Sequence, residues 1–242
     1  MALIGPYDLS KFWHLFPMLY RLWRANRQAT FWHFCFYQVA SLINHRWEWW
    51  LWPDVPIKGQ TAVDVGASMG QWTLPLAKRF DFVLAFEPAK DLADKLARRL
   101  QSSQVRVMPF ALWNRATWHT LITYPDLRVS RLVEHDLLFS IGLGTGRREV
   151  QCLPLDFFSL SDLDFMKVDV EGAEGEVLEG AYQTLKRCHP VILVELHGRI
   201  AREKVEAILK SLGYTWEYRH YPYYRPGDNL YEKRLWIVAR MP

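Results

Sequence analysis

From residue 59 onward, the hydrophobic positions follow two periods that together predict an α/β fold. Short runs rich in β-branched and aromatic residues predict strands at residues 61–65, 82–86, 105–110, 165–170 and 191–196. Between them, apolar residues at helical spacing predict helices at residues 71–79, 91–101, 173–186 and 201–212. Strands that alternate with helices across short links are typical of a mostly parallel central sheet with helices on both faces. Two last runs, residues 214–218 and 235–239, predict an antiparallel pair of strands at the sheet edge.

The first 52 residues have a different pattern and predict a separate helical segment. Seven of the 12 tryptophans lie in this part. The spacing of one helix face is shared by Leu15, Leu19, Leu22 and Trp23. Because Pro53 and Pro56 then mark a boundary, we predict an aromatic, helical N-terminal extension at residues 1–56 and a main domain at residues 57–242. We interpret the extension as packing on the main domain or on a second copy of the chain; a substrate lid or a peripheral membrane contact is the alternative.

Within the main domain, the pattern loosens and predicts an insertion at residues 113–154. Residues 117–124 and 148–153 have short β-like patterns, and the glycines between them predict a loop. These glycines are Gly142, Gly144 and Gly146.

Composition limits the setting of the protein more than its activity. Half of the residues are hydrophobic and 23% are charged, which suits a folded domain with a full core. The net charge of +4 allows an anionic partner without requiring one. Three cysteines far apart in sequence cannot form a complete disulfide framework, so we expect a cytoplasmic location. The apolar run at residues 31–43 is interrupted and shorter than the roughly 20 residues of a membrane span.

The most informative segment is Val-Asp-Val-Gly-Ala-Ser-Met-Gly at residues 63–70, between a predicted strand and a predicted helix. Gly66 is expected to let a ligand approach the backbone, and Gly70 to let the turn close into the helix. No Gly-Lys-Ser/Thr follows, and Ser68 stands where the dinucleotide fingerprint has its second glycine, so phosphate is not the expected ligand. Asp64 places a carboxylate beside the loop and favours a cationic ligand. S-adenosylmethionine, with an ammonium, a sulfonium and no phosphate, fits these requirements.

Glu87 ends the second predicted strand and is the expected ribose ligand. It follows Gly66 by 87 − 66 = 21 residues, close to the spacing of about 20 at which an acidic residue binds ribose hydroxyls. Capping of the next helix is the alternative role. Glu174 and Glu176, in the first turn of a later predicted helix, are explained by the helix dipole and are assigned no chemistry.

A third polar segment, Lys-Val-Asp-Val-Glu-Gly-Ala-Glu at residues 167–174, also runs from a strand into a helix. Ligands of open α/β sheets bind at the carboxyl ends of the strands, so Asp169 and Glu171 are expected at the same crevice. His197 follows the fifth predicted strand and reaches the same edge. We predict that Asp169, Glu171 or His197 is the catalytic base. A divalent metal held by the same three residues is an alternative, but their spacing identifies no metal site.

Together these segments resemble the FkbM-type methyltransferases of the Rossmann-like, S-adenosylmethionine-dependent class I superfamily. The resemblance is carried by VDVGASMG at 63–70, FEP at 86–88, FAL at 110–112, LPLD at 153–156, KVDVEGAEGEVLEGA at 167–181 and VILVELH at 191–197. It covers residues 59–197. The chain departs from the family where Ser68 replaces the usual Asn, and where Arg98-Arg99-Leu100-Gln101 replaces an Asn-containing stretch.

The resemblance implies that the cofactor is S-adenosylmethionine and distributes its parts over the site. It places Asp64, Gly66 and Gly70 at the methionine portion, Glu87 at the ribose and residues 110–112 at the adenine. The expected cofactor-binding set is Asp64, Gly66, Ala67, Ser68, Gly70, Glu87, Pro88, Ala111, Leu112 and Asp169.

The expected reaction is O-methylation of a hydroxyl on a sugar, glycan or secondary metabolite. Stacking on such an acceptor is the expected role of Tyr221, Tyr223 and Tyr224. Methylation of RNA ribose 2′-hydroxyls is an alternative, with a basic surface from Arg98, Arg99, Arg147 and Arg148; a solvated face is their other explanation. A non-catalytic binding or scaffold protein is the third hypothesis, and a blocked cleft would indicate it. An NAD-dependent oxidoreductase is disfavoured because the GxGxxG pattern fails at Ser68. Association into a homo-oligomer is compatible with each of these.

Overall fold

The computed structural model describes residues 49–100, 102–123, 130–132, 146–220 and 234–242. By its contacts the chain divides between Trp49 and Trp50, and the unit described below runs from Trp50 to Pro242. It begins with a 3-10 helix, Trp49–Asp54. Several predictions lie outside the described residues: the helices before residue 49, the Gly142 and Gly144 loop, and the tyrosines Tyr221, Tyr223 and Tyr224. In the described ranges, no helix combines the length and the hydropathy needed to cross a bilayer.

Eleven strands occur in the described residues and are numbered along the chain. They are β1 (Gly59–Val65), β2 (Phe80–Phe86), β3 (Val105–Met108), β4 (Ala111–Leu112), β5 (Thr117–Thr123), β6 (Ser130–Leu132), β7 (Gly146–Leu153), β8 (Leu163–Val168), β9 (Val191–His197), β10 (Thr215–His220) and β11 (Arg234–Arg240).

Seven of these strands form the central sheet, in the order β10-β11-β9-β8-β1-β2-β3. β1 pairs in parallel with both β2 and β8, and β8 pairs in parallel with β9. β11 runs antiparallel to β9 and to β10. The mostly parallel Rossmann-like sheet expected from the sequence is confirmed, and β11 lies one strand in from the edge because β10 pairs outside it.

Five α-helices occur in the described residues, and two of the predicted helices differ in length from those observed. They are α1 (Thr73–Leu76), α2 (Lys90–Leu100), α3 (Glu174–Gly180), α4 (Tyr182–Cys188) and α5 (Arg199–Ser211). The helix expected at 71–79 is shorter because the turn through Gly70, at φ +85°, continues to Trp72. The helix expected at 173–186 is broken after Gly180, where a Cβ atom would lie 1.9 Å from the carbonyl oxygen of Trp113. This tertiary contact requires glycine at the end of α3.

The predicted insertion contributes most of a second, four-stranded sheet with the order β4-β7-β5-β6. β5 and β7 pair antiparallel along seven positions and correspond to the two β-like patterns of the sequence. β4 pairs in parallel with β7, so this small sheet begins directly after β3. Ala111 and Leu112 in β4 thereby come to lie beside the end of the central sheet.

The core fills both faces of the central sheet because alternate strand residues point to opposite sides. One face packs against α3, α4 and α5 through residues such as Val63, Val65, Val177, Leu185 and Val205. The other packs against the first 3-10 helix and α1 through residues such as Leu51, Ala62, Trp72, Leu76 and Trp236. On that face Trp72 stacks on Trp52 at 4.8 Å between ring centroids. The start of the described chain is thus part of the core.

Asp54 connects the first 3-10 helix to the edge of the sheet. Its carboxylate accepts hydrogen bonds from Arg219 at 3.0 and 3.1 Å and from Arg240 at 2.8 Å. Burial alone would raise the pKa of Asp54, but the two arginines outweigh that effect and lower it. These bonds link the helix to β10 and β11.

Candidate functional site

A cleft opens at the carboxyl ends of β1, β2 and β8. β1 lies between β2 and β8. From β1 the chain passes through β2 to β3 at one edge of the sheet, and the later strands β8 and β9 lie on the other side of β1. This is the topological switch point at which open α/β sheets bind ligands. The space in the cleft, counted out to its open mouth, is about 680 Å³.

The cleft has an apolar wall and a polar wall. The apolar wall comprises Phe86, Pro88, Phe110, Ala111, Leu112 and Leu121. The polar wall comprises Gly66, Ser68, Glu87, Asp169 and Glu171. Three carboxylates therefore line the cleft, and no lysine, arginine or histidine joins them among the described lining residues. An apolar ring and a cationic or hydroxyl-bearing group are the ligand parts that match these walls.

The glycine loop after β1 has three residues with positive φ, namely Gly66 at +76°, Ser68 at +48° and Gly70 at +85°. A Cβ atom on Gly66 would lie 1.9 Å from the carbonyl oxygen of Asp169. Gly66 is thus required by the close contact of the β1 and β8 loops, a different reason from the ligand approach expected from the sequence. Ser68 adopts the left-handed conformation in which Asn is enriched, which accounts for the Asn that the resemblance expects there.

Glu87 lies at the end of β2 with both carboxylate oxygens held by the backbone. Its Oε2 accepts the N–H of Ser68 at 2.9 Å, and its Oε1 accepts the N–H of Ala89 at 2.8 Å. Burial raises the pKa of Glu87 to about 7, although these bonds and the charge of Lys167 lower it in part. A carboxylate held in this position in the cleft wall can accept hydrogen bonds from ribose hydroxyls.

Asp64 lies behind the cleft wall and does not line it. Its side chain is fully buried and accepts a hydrogen bond from the Thr73 hydroxyl at 2.6 Å. Lys167 Nζ lies 3.3 Å from the other Asp64 oxygen and donates to the Gly66 carbonyl oxygen at 3.0 Å. The argument from sequence, that Asp64 presents a negative charge to the ligand, is corrected by this buried ion pair. Asp64 instead fixes the floor beneath the glycine loop.

The turn after β8 brings Asp169 and Glu171 into the cleft wall, as expected. Glu171 has φ +56°, a conformation that non-glycine residues adopt rarely and that is concentrated at functional sites. About a quarter of the Asp169 side chain is exposed. Burial and the neighbouring Glu195 carboxylate raise the pKa of Asp169. Both side chains can reach a ligand in the cleft.

His197 lies behind Asp169 and Glu171, with only 4% of its side chain exposed. Its Nδ1 is 2.7 Å from Glu174 Oε1, which also accepts the N–H of Gly172. Burial would lower the pKa of His197, but Glu174 and Glu195 raise it well above its usual value. His197 therefore does not line the cleft, although it contacts residues that do.

Sequence reasoning missed Glu174 and Glu195. Glu174 is fully buried and contacts His197. From the sequence, its position was explained by the helix dipole alone. Glu195 is buried with one oxygen 3.5 Å from His197 Nε2. An acidic residue inside the apolar strand 191–196 was the signal that could have found it. No comparable signal marked Glu174.

The remaining predicted residues divide between the wall and the layer behind it. Gly66, Ser68, Glu87, Pro88, Ala111, Leu112 and Asp169 line the cleft. Ala67 is buried against Ala85 and Leu96, and Gly70 packs against Leu96. These two residues shape the loop without reaching the cleft.

The arginines proposed for RNA contact are partly engaged within the protein. Arg148 pairs with Asp91 at 2.7 Å, and Arg99 donates to the Met69 carbonyl oxygen at 3.4 Å. Both lie at exposed positions, so their surroundings agree with a solvated face.

The strand order, the switch-point cleft and its acidic wall define a Rossmann-like methyltransferase domain. The sequence matches the family model described as the methyltransferase FkbM domain over residues 64–216, which is more than half of the chain. The chain belongs to the FkbM methyltransferase family. No curated protein matches it.

Solved structures share the fold at low sequence identity. The methyltransferase FkbM from Methylobacillus flagellatus KT has a TM-score of 0.54 and 16% identity over 96% of this chain. The present chain spans 60% of that protein's length. An rRNA methylase from Streptococcus thermophilus has a TM-score of 0.49 and 12% identity, covering 81% of this chain and 93% of its own. The first likeness supports the fold, and the second has too low a score to support an inference.

Proposed function

We propose that this protein is an S-adenosylmethionine-dependent methyltransferase that methylates a hydroxyl group. The charge of the cleft carries the cofactor assignment. Glu87, Asp169 and Glu171 line it without a basic side chain among the described lining residues, which opposes phosphate and favours a cation. S-adenosylmethionine combines a sulfonium and an ammonium with an adenosine that carries no phosphate. Membership of the FkbM family supports the same activity.

The residues of the cleft fit the three parts of this cofactor. Each carboxylate oxygen of Glu87 accepts one backbone N–H and keeps a second lone pair for a ribose hydroxyl. The apolar wall around Ala111 and Leu112 suits the adenine ring. Asp169 and Glu171 are the carboxylates available to the cationic methionine portion and to the acceptor.

When bound, the cofactor supplies a methyl group that its sulfonium already activates for displacement. The chain must align the reactants, exclude water and accept the proton of the hydroxyl. Asp169 and Glu171 can accept that proton directly because they line the cleft. His197 lies behind them and acts on them rather than on the acceptor. We therefore assign the proton acceptor to Asp169 or Glu171.

Calorimetric titration tests the cofactor. Wild-type protein is expected to bind S-adenosylmethionine and not NADH or ATP, whose phosphates meet the acidic wall. Glu87→Ala is expected to abolish binding. Glu203→Ala removes an exposed carboxylate on α5 and serves as the matched control with wild-type affinity. Binding of NADH or ATP in place of S-adenosylmethionine would refute the assignment.

Transfer of a labelled methyl group tests the acceptor. Candidate sugars, glycans and phenols are incubated with the protein, and the product is treated with mild alkali. A methyl ether survives this treatment, whereas a methyl ester is hydrolysed. Label that is lost to alkali or that mass spectrometry places on nitrogen would contradict hydroxyl methylation. Preferred labelling of RNA, with binding that weakens steeply with salt, would favour the ribose alternative.

A further inference from the structure

The side chains behind the cleft wall form a compact cluster of one imidazole and several carboxylates. His197, Asp169 and Glu195 each offer one ligand atom, and these atoms all lie within 4.8 Å of one another. Glu171 Oε2 lies 3.6 Å from His197 Nε2 and borders the same space. The turn after β8 and the end of β9 thus direct oxygen and nitrogen donors toward one point.

The orientation of His197 is the second and independent observation. Its Nε2 is buried and has no hydrogen-bond partner among the described residues. The oxygens nearest to it, on Glu195, Glu171 and Asp169, lie at 3.5, 3.6 and 3.9 Å, which exceeds ordinary hydrogen-bond lengths. A buried ring nitrogen without a partner is costly, and a metal ion that replaces the proton on Nε2 would give that nitrogen a partner.

Glu174 fixes the ring in the orientation that a ligand histidine needs. It lies 2.7 Å from Nδ1 and can accept a hydrogen bond from the proton there, so an ion that displaces the proton from Nε2 meets the lone pair of that nitrogen. Metal-binding histidines almost always donate their other ring N–H to such a carboxylate. The pairing therefore resembles the outer shell of a metal site.

The charge of the cluster also favours a cation. Four carboxylates surround His197, those of Asp169, Glu171, Glu174 and Glu195. Lys167, the cation at 3.6 Å from Asp169, also pairs with Asp64. Buried carboxylates are stabilised by paired charges or by metal ions, and a divalent ion would neutralise two of these negative charges.

We propose that His197, Asp169 and Glu195 bind a divalent metal ion, with Glu171 beside them. Ligand atoms around an ion at about 2.1 Å lie roughly 3.0–3.4 Å apart. The contacts of His197 Nε2 at 3.5 and 3.9 Å would shorten by up to about 0.9 Å, and the widest spacing, within 4.8 Å, by more than about 1 Å, so the side chains must close around the ion. Imidazole and carboxylate together suit a first-row ion such as Mn²⁺. Asp169 connects this cluster to the cleft, because it also lines the cleft. The role of the ion in the reaction, which is to acidify the acceptor hydroxyl, rests on the proposed function. The binding of the ion does not depend on that function.

Mn²⁺ alone, added to chelator-treated protein without cofactor, tests the site. Loss of the free Mn²⁺ signal in electron paramagnetic resonance measures binding, and nitrogen modulation of the bound signal reports an imidazole ligand. Wild type is expected to bind one ion per chain with this modulation. His197→Gln is expected to weaken binding at least tenfold and to remove the modulation. His189→Asn changes an exposed histidine that precedes the opposite end of β9 and should behave as wild type.

Circular dichroism and melting temperature establish that each variant is folded. If His197→Gln does not fold, Glu195→Gln carries the test, with at least tenfold weaker binding and retained nitrogen modulation expected. Folded wild type that leaves the Mn²⁺ signal unchanged would overturn the proposal, as would unchanged affinity in the variant that carries the test. Because no cofactor is present, a failure here is separate from a failure to bind S-adenosylmethionine.

Discussion

Lowering the pH from 8 to 6 is expected to weaken cofactor binding through Glu87. The pKa of this buried carboxyl is raised to about 7, so it is mostly ionised at pH 8 and mostly protonated at pH 6. If only the carboxylate binds the ribose hydroxyls, the apparent dissociation constant rises as the ionised fraction falls. For a pKa near 7 that fraction is about 0.9 at pH 8 and about 0.1 at pH 6, so affinity should fall roughly tenfold.

The same shift makes the stability of the free protein depend on pH with a definite sign. Between the ordinary carboxyl pKa and about 7, the folded protein retains the Glu87 proton while the unfolded chain has lost it. The free energy of unfolding therefore falls as pH rises through this window. A shift from 4.5 to about 7 corresponds to about 3 kcal/mol, fully expressed above pH 7. Lys167 and Asp64, the charged neighbours of Glu87, are included in this shift.

Calorimetric titration of S-adenosylmethionine between pH 5.5 and 8.5, beside denaturant unfolding over the same range, checks both effects. Glu87→Gln cannot ionise and should bind more weakly, without the tenfold step. Its amide group can accept only one of the two backbone N–H bonds, so some loss at every pH is expected. Cofactor affinity that is flat from pH 6 to 8 in wild type, or an equal step in the Gln variant, would refute the reasoning.

Two further predictions concern the framework of the domain. Gly180→Ala should destabilise the fold by about 2 kcal/mol in denaturant unfolding, because its Cβ would lie 1.9 Å from the Trp113 carbonyl oxygen. Gly175→Ala in the same helix meets only the Lys204 side chain and should cost much less; equal losses would show that the backbone contact is not decisive. Asp54→Ala should cost about 1 kcal/mol at neutral pH by releasing its two arginine partners. This difference should disappear as pH falls through the lowered pKa of Asp54, and a loss that persists in acid would contradict the ion-pair explanation.

The sequence predicted the strands and the acidic turns because these depend on local pattern. Alternation and spacing were sufficient for β1, β2, β8 and β9, and the position of Glu87 followed from its distance to the glycine loop. The close contact of Gly180 with Trp113, 67 positions earlier in the chain, had no local signal, although a glycine within a predicted helix could have suggested the break. Contacts between residues that are far apart in the sequence cannot be identified from the local pattern of a single chain.

Asp64 illustrates why the electrostatics of the site were harder to predict than its position. The carboxylate stands where expected, at the end of β1, but Lys167 on the neighbouring strand β8 lies 3.3 Å away. Each residue alone indicates a charge at the crevice, and only their pairing shows that the two charges offset each other behind the wall. Glu174 is a similar case, because its first-turn position had a sufficient local explanation.

The placement of Lys167 has a consequence for which charges reach a ligand. It is buried and lies between Asp64 and Asp169, and it donates hydrogen bonds to the carbonyl oxygens of Val65 and Gly66. A cation held there stabilises the crossing of the β1 and β8 loops without entering the cleft. The carboxylates that line the cleft therefore keep a net negative field toward its interior. The buried lysine thus offsets part of the negative charge at the strand ends, and the cleft that we propose for S-adenosylmethionine keeps its acidic lining.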